Sequence, residues 1–191
     1  MRRIKGLKGV FIVLALAAMI VAYYYYLSHR PQIKEEGPVT VTAVSEALAR
    51  NLVTNYPQTP KEVVKYFSEI TKCYYNEEYT SDELLALADQ MLLLYDDELV
   101  SYKTHEDYIL DLNADIAFYK ENGYKISSFA PSASTDVEYF EQDGYEWARL
   151  WCVYTIRASK STKPIQEVFI LRKDEKSHWR IYGWKLVEKN E

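Results

Sequence analysis

The chain is short of the residues from which most catalytic and metal-binding signatures are built. Its 191 residues include two cysteines, three histidines and six glycines. So few glycines leave no glycine-rich loop to cradle a phosphate, and neither a dinucleotide fingerprint nor a G-x-S-x-G elbow occurs. There is no H-E-x-x-H pair, and neither Cys73 nor Cys152 has a cysteine or histidine at zinc-ligand spacing. No metal site and no cofactor are therefore expected. The histidines stand apart: His29 beside an apolar run, His105 after the helix-cap residue Thr104, and His178 at a strand start. A headgroup contact is expected for the first, and solvent-facing or structural roles for the other two. The acidic clusters Glu77-Glu78 and Asp96-Asp97-Glu98 lack the alternating oxygens and the glycine of a calcium loop. Each reads as a solvated helix end.

Acidic residues are missing from the first 30 positions, which hold five basic ones: Arg2, Arg3, Lys5, Lys8 and Arg30. The overall net charge of −5 thus divides into +5 for residues 1–30 and −10 for the remainder. An acidic body repels phosphate backbones, which argues against nucleic acid as a partner. Charge is also missing from residues 9–27, GVFIVLALAAMIVAYYYYL. Nineteen residues at about 1.5 Å each span roughly 28 Å, close to the ~30 Å hydrocarbon core of a bilayer. Arg2, Arg3, Lys5 and Lys8 precede the run and hold the N-terminus in the cytoplasm, while Tyr23 to Tyr26 suit the far headgroup region. The small-residue pair Ala15 and Ala17 lies inside the run and bulky rings end it, so an uncleaved anchor is expected rather than a signal peptide.

This divides the chain into a cytoplasmic basic tail (1–8), a transmembrane anchor (9–27), a polar spacer (28–38) and an extracytoplasmic domain (39–191). Within the domain, Val41, Val44, Leu48 and Leu52 recur at helical spacing, and Tyr56-Pro57 ends that helix. Thr59-Pro60-Lys61-Glu62 and Thr80-Ser81-Asp82-Glu83 are capping boxes, and Thr104 with Asp107 is a weaker version. They open stripes through Phe67 and Ile70, through Leu87 and Met91, and through Leu112 and Ile116. From Tyr124 the period falls to two. Residues 135–143 alternate, Asp143-Gly144 marks a hairpin, and strands follow over 145–157, 164–173 and 178–187. Helices first and a meandering antiparallel sheet afterwards make an α+β class.

The strand over 145–157 puts Tyr145, Trp147, Arg149 and Trp151 on one face. If that face lines a pocket, it offers stacking surfaces and a cation to a glycan, a peptide or an envelope protein. Cys73 on its helix and Cys152 on the strand's other face could meet, and a disulfide closing so long a loop would stabilise by about 4–5 kcal/mol.

The segment Pro60-Lys61-Glu62-Val63-Val64-Lys65-Tyr66-Phe67, with the final Trp179-Arg180-Ile181-Tyr182-Gly183-Trp184-Lys185-Leu186, resembles the NTF2-like superfamily over roughly residues 59–188. The whole chain is similar to a family of small single-pass proteins from Gram-positive anaerobic bacteria. The resemblance implies a curved sheet wrapped around a helix, with a cone-shaped pocket at its open end. It implies no reaction, because this superfamily hosts isomerases, dehydratases, transport factors and interaction modules. It also favours free thiols at Cys73 and Cys152, since proteins of such bacteria rarely depend on disulfides. The leading expectation is a membrane-anchored, non-catalytic binding module. The alternative is an isomerase or hydrolyase using a buried carboxylate with Tyr or His in the cone. An isolated Asp or Glu in an open pocket facing a tyrosine would favour the enzyme, and a filled cone would exclude it.

Overall fold

A computed structural model describes residues 41–159 and 161–187. The basic tail, the anchor and the spacer lie outside the described residues, and so do the expectations placed on Arg2, Arg3, Lys5 and Lys8. Among the described residues no helix is long and apolar enough to cross a membrane.

The domain is α+β, with helices preceding a curved antiparallel sheet. Helix α1 (Ala43–Leu48) is capped by Thr42, whose hydroxyl accepts from the Ser45 amide at 3.0 Å. It ends before Leu52, because the Asn51 side chain accepts from the amides of Val53 and Thr54 and turns the chain. Leu52 is buried all the same, whereas Val41 ahead of the cap is exposed. Helices α2 (Pro60–Asn76) and α3 (Ser81–Leu92) start at the two expected capping boxes, with Glu62 and Glu83 closing back on Thr59 and Thr80. Each box satisfies amides that would otherwise lack partners at a helix start.

A short helix, α4 (Asp97–Ser101), stands where the sequence suggested only a solvated acidic end. That reading is corrected at Asp96, which is 4% exposed. Asp96 caps α4 through the Glu98 amide at 3.0 Å and accepts from Arg172 Nε at 2.9 Å. An unpaired carboxylate so placed would lose its hydration uncompensated, and the guanidinium supplies the compensation. Glu77 and Glu78 are solvent-exposed at the end of α2, as expected. Helix α5 (His105–Glu121) begins at Thr104 and stops at Asn122-Gly123.

Five strands follow: β1 (Lys125–Pro131), β2 (Glu138–Gln142), β3 (Tyr145–Ala158), β4 (Ser161–Lys173) and β5 (Trp179–Leu186). A single 3-10 turn over Ser134–Asp136 delays β2 relative to the alternation in the sequence. Both β1 and β2 pair with β3, on different stretches of it, and β4 and β5 follow on its other side. The β2–β3 hairpin turns at Asp143 and Gly144, whose φ values of 53° and 80° match the right-handed twist of the flanking strands.

Alternation divides the sheet into two faces. Ala148, Leu150, Cys152 and Tyr154 of β3 are buried on the inner face, with Phe169 and Leu171 of β4 beside them. Val63, Val64, Phe67, Ile70 and Tyr74 of α2 are buried in the same core. At the far end of α2, Asn76 donates to the Ile126 carbonyl at 2.8 Å and accepts from the Ile126 amide at 2.9 Å. It acts as a strand partner and fixes where β1 leaves the helices.

Candidate ligand pocket

The core does not fill the inner face. Toward the ends of α2 and α5 the sheet and helices stand apart, leaving a cavity of about 530 Å³. Helix α2 contributes Phe67, Thr71, Tyr74 and Tyr75, and α5 contributes Tyr108, Leu112 and Tyr119. Tyr95 and Leu99 close one side, while Tyr154, Ile165, Glu167 and Trp184 form the sheet wall. The volume falls in the range of small-molecule pockets, and the walls are mainly aromatic.

These rings brace one another. Tyr75 and Tyr119 stack with centroids 3.8 Å apart, tying α2 to α5. Tyr95 meets Tyr108 edge-on at 6.3 Å, and Trp184 packs against Phe67 at 5.1 Å. Burial raises the hydroxyl pKa values of Tyr74, Tyr75, Tyr108, Tyr119 and Tyr154, so these groups stay protonated. Tyr154 shares a 2.7 Å hydrogen bond with Ser68, itself fully buried. The Tyr74 hydroxyl is buried beside the hydroxyl of Tyr108.

Glu167 is the exception on the wall. On the inner face of β4 it sits opposite Cys152 of β3 and Leu186 of β5. Ile165, Phe169 and Leu171 are the apolar residues of the same register. Loss of hydration raises its carboxyl from 4.5 to about 7, and no cationic neighbour among the described residues offsets this. At the mouth, Lys103 is bound to Asp111, and His105 Nε2 lies 3.0 Å from Asp89. His105 is exposed there, as the sequence suggested, although it also borders the cavity.

The residues singled out from sequence lie elsewhere. Tyr145, Trp147, Arg149 and Trp151 occupy the outer face of β3, so the condition that this face lines the pocket is not met. Tyr145 and Trp147 gather with Tyr182 around Arg172, whose guanidinium carbon lies 4.8, 5.5 and 5.1 Å from the three ring centres. Arg149 is engaged by Glu138 across the β2–β3 pair. Cys73 and Cys152 are both buried free thiols. Cys73 borders a smaller hollow with Glu69 and Phe129, whereas the Cys152 sulfur lies 3.7 Å from Ser68 Oγ. His178 stacks on Tyr56 at 4.3 Å, a packing role. Among the described residues, no group of three or more Cys, His, Asp or Glu could hold a metal ion.

Glu167 escaped the sequence reading, yet it carries a signal. In Ile165-Gln166-Glu167-Val168-Phe169-Ile170-Leu171 it is the one charge in an otherwise apolar alternating register. The tyrosines were visible as helix stripes, where periodic aromatics read as core.

The site therefore defines an α+β domain with an open, aromatic-walled cavity and a single desolvated carboxylate. Residues 1–184 match the family described as Domain of unknown function (DUF6715), and the chain belongs to that family. The match takes in the basic N-terminus and the apolar run as well as the folded body. A comparison with curated proteins finds no match.

The raised carboxyl has a consequence for stability. Between pH 4.5 and 7 the folded state keeps a proton on Glu167 that the unfolded chain has released, so stability falls as pH rises through this window. The full effect is up to about 3 kcal/mol. Glu167→Gln should remove it, leaving the variant more stable than the parent above pH 7 and flatter between pH 4.5 and 7. Denaturant unfolding of both full-length chains at pH 5 and pH 8 measures this. Parallel pH profiles would show that Glu167 is not desolvated.

Proposed function

We propose that this chain is a membrane-anchored, extracytoplasmic binding protein that holds a small, largely apolar molecule in an NTF2-like cone. The observation that carries the reading is the cavity of about 530 Å³, left open where α2, α5 and the sheet diverge. Aromatic walls supply a large apolar contact area, and Glu167 and the Tyr74 hydroxyl supply polar contacts that fix orientation. Helices followed by a curved antiparallel sheet, with the pocket on its inner face, support the NTF2-like assignment. The basic flank and uncharged run of residues 9–27 support the anchor and its orientation. The bilayer is then the first partner. Tyr145, Trp147, Arg149 and Trp151 remain candidates for contact with an envelope protein, peptide or glycan on the outer face.

A second reading has its own observation. Glu167 is the carboxylate on the sheet wall of an open pocket, close enough to Tyr75, Tyr119 and Tyr154 to raise the pKa of each. A carboxyl titrating near 7 suits a general base that moves a proton on a bound carbonyl compound, with a tyrosine hydroxyl donating to the oxygen. Non-catalytic binding is preferred because no hydrogen bond joins Glu167 to an acid partner among the described residues. Deuterium wash-in at the α-carbon of a bound ketone, lost in Glu167→Gln, would shift the assignment to an enzyme.

Two measurements test the binding protein. N-terminal sequencing of the membrane fraction should recover an uncleaved chain, and a mature chain starting near Ser28 would contradict the anchor. The neutral fluorophore N-phenyl-1-naphthylamine should bind the full-length chain one to one and accept energy from tryptophan. Thr71→Trp, which fills cavity space from α2, should weaken it by about tenfold while leaving the melting temperature within a few degrees. Unchanged affinity in that variant would place the probe outside the cavity and sink the reading.

A further inference from the structure

The cavity has a sign of charge as well as a shape. Its charged lining comprises three carboxylates, Asp111, Asp115 and Glu167, and one lysine, Lys103, already bound to Asp111. His105 is engaged with Asp89. Among the described residues no arginine reaches the lining.

Around Glu167 each packed element presents a group without positive charge. Helix α2 presents Tyr75, α5 presents Tyr119, with Asp115 nearby on the same two rings, and β3 presents Cys152 and Tyr154. Strand β5 sets Leu186 opposite it. Tyr75 and Tyr119 are stacked as one aromatic slab beside the carboxylate. Ring faces attract cations through their quadrupoles, and more strongly where water is excluded. A carboxylate and several ring faces around one open cavity, with no free basic side chain in the lining among the described residues, form a receptor for positive charge.

Resting on the proposed binding function, we infer that the occupant is an organic ammonium ion, with its apolar body among the rings and its cationic head at Glu167. An anionic ligand would meet Asp115 and Glu167 without a free counter-charge among the described lining residues. A neutral ligand would leave the cost of placing Glu167 in the wall without compensation. The ammonium restores the ionised carboxylate, so binding below pH 7 releases one proton from Glu167 to solvent. Association is consequently tighter above pH 7 than below it.

A matched set of probes tests this on the full-length chain, with tryptophan fluorescence as the readout. Benzyltrimethylammonium carries the charge, neopentylbenzene is its uncharged carbon isostere, and phenylacetate is an anion of similar size. At pH 8 the ammonium should bind at least about tenfold tighter than the isostere, a small margin for a desolvated ion pair. Lowering the pH to 6 should cut its affinity about tenfold, following the ionised fraction of Glu167. Glu167→Gln should abolish both effects. Equal or tighter binding of the isostere or of phenylacetate overturns the inference, and so does a cation preference that survives in Glu167→Gln. If none of the three binds while N-phenyl-1-naphthylamine does, the ammonium inference fails alone. If that fluorophore fails as well, the binding function falls with it.

Discussion

The contact on which the rest of the domain depends is the burial of one face of α2 against the inner face of the sheet. Val63, Val64, Phe67 and Ile70 share one buried core with Leu150, Phe169 and Leu171, with Phe67 edge-on to Phe169 at 5.2 Å. The apolar area buried makes this seam the main source of stability. It also positions Tyr74 and Tyr75, one helical turn beyond Ile70, and Asn76, which grips the start of β1. The cavity lies beside the C-terminal half of α2, where Phe67, Thr71, Tyr74 and Tyr75 border it, and α5 adds Tyr108, Leu112 and Tyr119.

Period two then decides what the cavity contains. Ile165, Glu167, Phe169 and Leu171 must share one face, so a carboxylate enters a wall that is otherwise apolar. Asp96 shows how this chain treats a buried carboxylate whose role is structural: it receives an arginine, a helix amide and a place beside β5. Glu167 receives none of these. A buried and a half-buried acidic residue are thus handled in opposite ways, and the one left without such partners borders the cavity. That contrast separates a packing solution from a binding site.

Much of this architecture was legible in the sequence, because capping boxes, hairpin turns and alternation are local signals. Thr59, Thr80 and Thr104 announce their helices through short-range hydrogen bonds, and Asp143-Gly144 announces its turn through backbone handedness. Features that depend on distant partners were not legible. Asp96 reads as a surface acid until Arg172, 76 positions away, is seen to reach it. Arg172 also takes the central place among the outer-face rings that the sequence reading gave to Arg149. The aromatic face of β3 was visible, but which face of a strand meets the helices depends on tertiary packing. Glu167 needed that same information, since a charge in an apolar register marks a site only when its face is the inner one.

The central claim is that Glu167 is held in a water-poor cavity wall with no charge among the described residues to balance it. Its own titration tests this most directly. Carbon-13 NMR of the side-chain carboxyl in the full-length chain, assigned by loss of the signal in Glu167→Gln, should show a midpoint about 7. A midpoint at the ordinary glutamate value of 4.5 would contradict the account.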